Sequence, residues 1–261
     1  MEISLEFILE PQTWLILAVI AFVAGFIDAI AGGGGLLTIP ALLTCGLPPH
    51  LTLGTNKLAA TFGSATASYA YFKKKLFNPL FWQWSFYATL SGACIGTLMV
   101  NFIDATILEK ALPLLIISIA IYTFFTRGQE ESEHTLPVAG KSLTIKQITQ
   151  GLSLGFYDGF AGPGTGAFWT ASSMALYKLN LLLSCGLARS MNFVSNFTSL
   201  IVFIYLGKVN WALGLTMGLC IMVGAFFGAR FAIRFGSKFI RPIFITMVVI
   251  LSLQLASEAW L

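Results

Sequence analysis

Two carboxylates lie in apolar sequence, and each comes just before a glycine-rich run. Asp28 precedes glycines 32–35, and Asp158 precedes the run 162–166. Ionisable groups within membrane segments are costly and in most cases mark a substrate pathway or a proton relay. Near the C-terminus of a helix the dipole also disfavours a carboxylate, which favours the protonated form. The pair therefore predicts proton coupling or, as an alternative, structural braces that accept the N–H groups of their own glycine turns.

The glycine runs themselves predict breaks in two membrane helices. Glycine disfavours helix by about 1 kcal/mol per residue, and Pro163 also removes one N–H group. The freed backbone groups cannot face lipid, so they must contact protein or a watered cavity. Paired breaks are typical of the central site of a transporter, where new helix N-termini attract anions. The alternative is that these glycines only allow neighbouring helices to pack closely.

The candidate substrate-binding residues combine these backbone N–H groups with neutral side-chain donors. Lys57 and Arg189 add one cation near each run. Together these groups predict a site for a small anionic substrate. The candidate residues are Gly33, Gly34, Gly35, Thr55, Asn56, Lys57, Gly164, Thr165, Gly166, Asn192 and Asn196.

No residue pattern in the chain indicates catalysis, a metal or a cofactor. The four cysteines form no CxxC pair, and all lie in apolar surroundings. His50 and His134 are far apart and in different settings, so they do not suggest a metal pair. An enzyme would need clustered acid, base or nucleophile groups at membrane depth. We therefore expect no enzymatic activity, no catalytic residue, no metal and no cofactor.

Composition predicts an all-α polytopic membrane protein. Hydrophobic residues make up 57% of the 261 residues and charged residues only 10%, whereas roughly a quarter of a soluble domain is charged. Apolar runs of about 20 residues recur along the chain, which is long enough for a membrane helix. The runs are continuous rather than alternating, which indicates helices rather than a barrel.

Two stretches of the chain repeat each other and predict two homologous halves. Residues 25–34 and 155–164 are identical at six of ten positions, at an offset of 130. A second match relates 92–96 to 224–228 at an offset of 132, and Asn56 and Asn192 lie between the matches at an offset of 136. We assign residues 1–126 to the first membrane repeat, 127–146 to a cytoplasmic linker and 147–261 to the second repeat. The GxxxG spacing of Gly92 with Gly96, and of Gly224 with Gly228, favours close helix packing.

Hydrophobic periodicity and breaks predict five helical segments in each half. The predicted segments are 14–31, 36–47, 52–72, 80–100 and 105–126, then 148–161, 166–177, 187–206, 211–231 and 239–256.

The net charge of +4 comes from basic residues in short loops, so nucleic acid is not expected as a partner. Such residues stay on the cytoplasmic side of a membrane. This places the loops at 73–75, 127–146 and 230–241 in the cytoplasm. An odd number of crossings per half then follows, which gives an inverted 5+5 arrangement. A parallel 4+4 arrangement is the alternative, and it would leave four basic residues outside.

Several short strings around the breaks carry a family resemblance. They are GFID at 25–28, GGGGLLTIP at 32–40, GLPPH at 46–50, GTNKL at 54–58 and NFVSN at 192–196. These strings resemble the TauE/SafE family of sulfite exporter-like transmembrane proteins, over nearly the whole chain. The resemblance implies a multi-pass carrier of the bacterial inner (plasma) membrane for a small anion such as sulfite or an organosulfonate. It includes a large branch of membrane transporters without an assigned substrate.

The resulting hypothesis is a secondary transporter that moves a small anion, sulfite or an organosulfonate, and that is coupled to protons through Asp28 and Asp158. A passive anion channel on the same scaffold is the alternative. An assembly subunit and a homo-oligomer are also compatible with the sequence. The expected partners are the small anion and the lipid bilayer.

Overall fold

The computed structural model describes residues 10–103 and 136–236, together with Phe239 and Pro242. Within these ranges the protein is entirely helical, which confirms the all-α prediction for this part of the chain. The predicted segments 105–126 and, apart from those two residues, 239–256 lie outside the described residues. The helices are α1 (Pro11–Ala31), α2 (Gly35–Thr44), α3 (Pro49–Lys73), α4 (Gln83–Asn101), α5 (Lys141–Phe160), α6 (Thr165–Tyr177), α7 (Leu181–Tyr205) and α8 (Trp211–Phe235).

Three of the described helices are both long and apolar enough to cross a membrane, namely α1, α7 and α8. Helices α3, α4 and α5 have 25, 19 and 20 residues, so they are of similar length but more polar. By contrast, α2 and α6 have only 10 and 13 residues. At 1.5 Å per residue they reach about 15–20 Å, which is short of the roughly 30 Å hydrocarbon core.

Both predicted glycine breaks are present, and they have the same backbone cause. Gly32 ends α1 with φ 81°, and Gly162 follows α5 with φ 90°. L-residues with a Cβ rarely adopt this conformation, so glycine is the residue that allows the chain to turn here. After each turn a short helix begins, α2 at Gly35 and α6 at Thr165.

Two helices in the second half begin earlier than the apolar pattern predicts. Helix α5 begins at Lys141, seven residues before the predicted start at 148, because its first two turns are polar. Helix α7 begins at Leu181 rather than 187, and the Asn180 side chain caps it by accepting a hydrogen bond from the Leu183 N–H at 2.9 Å. Asparagine is a preferred N-cap residue, so this start could have been recognised from sequence.

The predicted close packing at the GxxxG pairs is confirmed. A Cβ at Gly92 of α4 would overlap the Leu152 carbonyl of α5, and one at Gly224 of α8 would overlap the Phe22 carbonyl of α1. Gly96 and Gly228 make the next contacts in the same direction along each pair. Helices α4 and α5 therefore run parallel, and so do α1 and α8.

Helices α3 and α7 cross at the centre of the fold and run antiparallel. Leu76 lies against Gly186, and Ser68 donates a hydrogen bond to Ser190 at 3.0 Å. Farther along, the Lys57 ammonium donates to the Asn196 amide oxygen at 3.1 Å. Many polar side chains of both helices are buried here, which is where the candidate site lies.

The contacts of α3 and α7 also correct the repeat register. Gly54 packs on the Lys208 carbonyl, and Gly186 packs on that of Leu76, which gives an offset of 132 for both partners. At this offset Lys57 corresponds to Arg189. The offset of 136, taken from Asn56 and Asn192, is therefore wrong by one helical turn.

Candidate functional site

The two glycine turns, α3 and α7 meet around one cavity in the centre of the described fold. The non-protein space in it is about 460 Å³, including its opening to solvent. Residues of both predicted halves line it. The predicted residues on its wall are Asp28, Gly33, Gly34, Gly35, Asn56, Lys57, Asp158, Gly164, Thr165, Gly166, Asn192 and Asn196.

Thr55 is the one predicted residue that the structure places elsewhere. Its side chain is fully buried, and its hydroxyl oxygen accepts a hydrogen bond from the Asn210 N–H at 2.9 Å. Consecutive residues of a helix point about 100° apart. Asn56 and Lys57 therefore face the cavity while Thr55 faces the start of α8.

Asp28 holds the first glycine turn in place. Its Oδ1 accepts hydrogen bonds from the backbone N–H groups of Gly33 and Gly34, both at 3.0 Å. These are the contacts that a structural brace would make. The side chain is 22% exposed, so it is also accessible from the cavity.

Asp158 lies at the corresponding place in the second half but has different partners. Its Oδ1 accepts from the Lys57 ammonium at 2.8 Å and from the Thr165 hydroxyl at 3.1 Å. Its Oδ2 accepts from the Ser195 hydroxyl. The side chain is 3% exposed. This carboxylate is thus held by side-chain donors from α3, α6 and α7.

The charged residues form two pairs that join the halves in a reciprocal way. Lys57 of the first half donates to both the carboxylate and, at 2.6 Å, the carbonyl of Asp158. Arg189 of the second half donates to the Asp28 carbonyl and lies 3.6 Å from its Oδ1. Lys57 and Arg189 correspond at the offset of 132. Each cation therefore occupies the same place in its own predicted half, and each binds the aspartate of the other half. Removing one member of a buried pair costs about 3–5 kcal/mol, so these pairs tie the halves together.

The Arg189 side chain leaves no room for a Cβ at two of the glycines, one in the first turn and one at the start of α6. A Cβ at Gly32 or Gly166 would overlap its guanidinium group. The residue is fully buried, and its Nε and Nη2 have no hydrogen-bond partner within the described part of the chain. Sequence analysis noted this cation but did not include it in the site. The repeat offset of 132, read from Gly54 and Gly186, was the signal that could have placed it.

Three side-chain amides supply neutral donors to the cavity wall. Asn56 accepts from the Thr38 hydroxyl at 2.5 Å and Asn196 accepts from Lys57, so both have their oxygens engaged. Their NH₂ groups make no hydrogen bond to any described residue and are available to a ligand. The NH₂ group of Asn192 lies beside Gly166, at the start of α6. Thr38 also lines the cavity and was not among the predicted residues.

The starts of the short helices add two backbone donors to this wall, the N–H groups of Gly35 and Gly166, which make no hydrogen bond to a described residue. The first N–H groups of a helix have no partner within it, and they carry the positive end of the helix dipole. Helices α2 and α6 both begin at the cavity, at Gly35 and Thr165. Amides, helix N-termini and a buried ammonium together suit an anion. No group of three His, Cys, Asp or Glu residues in the described ranges is arranged to hold a metal ion.

Comparison with known proteins agrees with a membrane transport protein. The family described as "Sulfite exporter TauE/SafE" matches residues 17–255. A "Probable membrane transporter protein" of Haemophilus influenzae is 40% identical over 245 residues, which are 93% of this chain and 92% of that protein. "Probable membrane transporter protein ORF9" of Sinorhizobium sp is 36% identical over 93% of this chain and 92% of its own length.

A third relative covers even more of the chain. "Probable membrane transporter protein YfcA" of Escherichia coli K12 is 35% identical over 97% of this chain and 93% of its own length. No solved structure matches the chain. The family match spans most of the sequence and includes both halves of the cavity. The protein therefore belongs to the TauE/SafE sulfite exporter family of membrane proteins.

Proposed function

We propose that the protein is a secondary transporter that moves a small anion, sulfite or an organosulfonate, together with protons across the bacterial inner membrane. The observation that carries the proposal is the single cavity in which both glycine turns and the amides of Asn56, Asn192 and Asn196 meet. The family and the relatives described as membrane transporters support transport as the activity. The sulfur chemistry comes from the family description alone.

The donors of the cavity favour an anion of the oxyanion type. Amide NH₂ groups and helix N-termini each donate hydrogen bonds, so together they can replace the water molecules around an anion without a single positive charge. Lys57 is the cation on the wall, and it is already neutralised by Asp158 at 2.8 Å. Binding then depends on convergent neutral donors, which suits sulfite or sulfonate oxygens.

An inverted arrangement of the two halves is part of this proposal. Repeat-related helices that run antiparallel are related by a two-fold axis perpendicular to them, and α3 and α7 run antiparallel. Gly214 and Gly218 of α8 pack on Leu58 and Phe62 of α3, so α3 is parallel to α8 and hence to α1. The chain must return between α1 and α3, and α2 lies in that return. This counts as three passes and supports five segments per half with multi-pass topology.

A carrier, rather than a passive channel, is favoured by the reciprocal charge pairs. In inverted-repeat transporters one half rocks against the other around a central site. The pairs Lys57–Asp158 and Arg189–Asp28 lie at that boundary, where a rocking motion would shift them. A passive channel conducts without such a motion, so it would not need charge pairs at this boundary.

Reconstitution into liposomes tests the proposal. Labelled sulfite should show saturable uptake and counterflow, both of which a passive channel lacks. Asn56→Leu and Asn192→Leu should each lower uptake by at least about tenfold, because each removes a buried donor to the anion. Asn101→Leu, at the end of α4 and outside the cavity, is the matched control. Unchanged uptake in both cavity variants would eliminate the proposed site, and uptake without counterflow would favour the channel.

A further inference from the structure

We propose that the two repeat-related aspartates have different roles: Asp28 carries the coupling proton, and Asp158 stays ionised as the anchor of Lys57. The inference rests on the proposed transport of an anion and assigns its proton to one residue. It predicts one proton for each singly charged anion bound.

Both carboxylate oxygens of Asp158 accept hydrogen bonds from protein side chains. Its Oδ1 accepts from Lys57 and Thr165, and its Oδ2 accepts from Ser195. Protonation would cancel the negative charge that pairs with Lys57, and it would leave that ammonium buried without its partner. The side chain is only 3% exposed, so water reaches it poorly. These contacts assign Asp158 to holding Lys57 rather than to carrying the proton.

Asp28 differs in both respects. One oxygen, Oδ1, takes all of its hydrogen bonds, from the N–H groups of Gly33 and Gly34, and it is the oxygen nearer Arg189. Its Oδ2 makes no hydrogen bond to any residue that the structure describes. The side chain is 22% exposed and lines the cavity. A proton can therefore bind Oδ2 without breaking the glycine turn.

The charges that face Asp28 balance in a way that requires this proton. Arg189 faces it from α7, Lys57 from α3 and Asp158 from α5. Helix α2 has no titratable side chain, and α8 faces the cavity with Ile221. On α6 the titratable group is Tyr177, at the far end of the helix.

With both aspartates ionised, the two acids and the two bases sum to zero charge. When a singly charged anion binds, the net charge of the site becomes −1, and the anion lies beside the Asp28 carboxylate. A proton on Oδ2 restores neutrality, and the new O–H can donate to the anion. The proton comes from water and returns to water with the anion, and no other bond changes.

The first test measures protons on the wild-type protein, which avoids any folding defect. Methanesulfonate is the probe, since it stays singly charged near neutral pH. In weakly buffered detergent solution we expect uptake of about one proton per anion bound, and binding at least about tenfold tighter at about pH 6 than at about pH 8. Binding without proton uptake and with the same affinity at both pH values would overturn the inference and leave the proposed function standing. Absence of binding of methanesulfonate, sulfite and sulfoacetate at every pH would instead remove the proposed function.

The second test compares two matched variants. Asp28→Asn keeps an amide oxygen for Gly33 and Gly34 and places an NH₂ group where the O–H would lie. We expect this variant to take up no proton on binding. Its apparent affinity for methanesulfonate, measured by thermal stabilisation, should differ by less than about twofold between the same two pH values. Asp158→Asn, if folded, should still take up a proton. The reverse result, with proton uptake lost only in Asp158→Asn, would overturn the assignment.

Discussion

Two repeat-related regions of the protein share a backbone arrangement but differ in what fills them. Between α1, α2, α3 and α8 lies a cluster of buried apolar side chains. The corresponding positions between α4, α5 and α6 are polar or carry a hydroxyl. The apolar cluster contains Leu17, Leu42, Leu47, Met217 and Ile221. The repeat-related positions, taken in the same order, hold Gln147, Ser172, Tyr177, Ser85 and Thr89, which together form the polar cluster.

The polar cluster has hydrogen-bonding capacity that the protein does not use. Gln150, one turn beyond Gln147, donates to Ser172 at 2.7 Å, but its Oε1 has no partner among the described residues. The indole N–H of Trp169 on α6 is likewise buried and unpartnered within those ranges. Buried polar atoms are normally paired, with ordered water where protein offers no partner. The comparison sets an apolar cluster on one side of the cavity against a region on the other side where buried hydroxyl and amide groups lie among apolar side chains.

This difference gives the proposed transporter a direction. The polar cluster lies one to two turns from Lys146 near the start of α5, which is on the cytoplasmic side in the proposed topology. The apolar cluster lies near the start of α1 and hence, in an inverted arrangement, towards the opposite side. In this proposed topology, access to the cavity from the cytoplasm would follow the polar side chains, and the apolar cluster would lie towards the outside.

The largest expected effect tests whether the two regions truly share one scaffold. Gly96→Val and Gly228→Val each push a side chain into the backbone of the neighbouring helix, at Phe156 and Phe26. Both should lose about 3 kcal/mol of stability, because the contacted atoms are backbone and cannot move aside. Thermal unfolding in detergent measures this. Gly140→Val is the control, since nothing lies within 4 Å of its Cβ position. A large loss in only one of the two variants would contradict equivalent scaffolds.

The glycine breaks could be predicted from sequence because a glycine run is a local pattern. A glycine run breaks a helix wherever it occurs. The matching residues that follow Gly25 and Gly155 indicate a repeat from the sequence alone. The same reasoning correctly predicted packing at Gly92 and Gly224, where GxxxG spacing has few polar neighbours.

The reciprocal charge pairs could not be predicted in the same way. Asp158 near the end of α5 meets Lys57 of α3 only through the tertiary packing of the helices, since the two residues are 101 positions apart. The choice between Thr55 and its neighbours likewise depends on which face of α3 points to the cavity. The pattern of apolar residues does not reveal that face, because the buried side of α3 is itself polar.

A reciprocal exchange at one repeat-related position should have unequal costs in the two regions. Leu42 is fully buried, so Leu42→Ser should cost about 2–3 kcal/mol from lost burial and a cavity. Ser172 is half-buried, and without its hydroxyl the Gln150 NH₂ group still donates a hydrogen bond to the Ser173 hydroxyl at 3.2 Å. Ser172→Leu should therefore change stability by only about 1 kcal/mol. Chemical denaturation of both variants checks the ratio, and equal costs would remove the distinction between the regions.

The smallest effect on stability, and the sharpest test of hydration, comes from single cysteines at the same two positions. The native Cys45, Cys94, Cys185 and Cys220 are first replaced by alanine or serine. A water-soluble maleimide reacts with a thiolate, which forms only where water reaches the thiol.

Ser172→Cys should therefore react at least about tenfold faster than Leu42→Cys in the folded protein, because a buried apolar site suppresses the thiolate. Saturating sulfite should slow the reaction at position 172 if the hydrated region leads to the cavity. Cys45, left in place in a parallel sample, reports reaction at a half-exposed position at the end of α2. Equal rates at 42 and 172 would mean that the polar cluster is as dry as the apolar one, and the cytoplasmic approach to the site would then have to lie elsewhere.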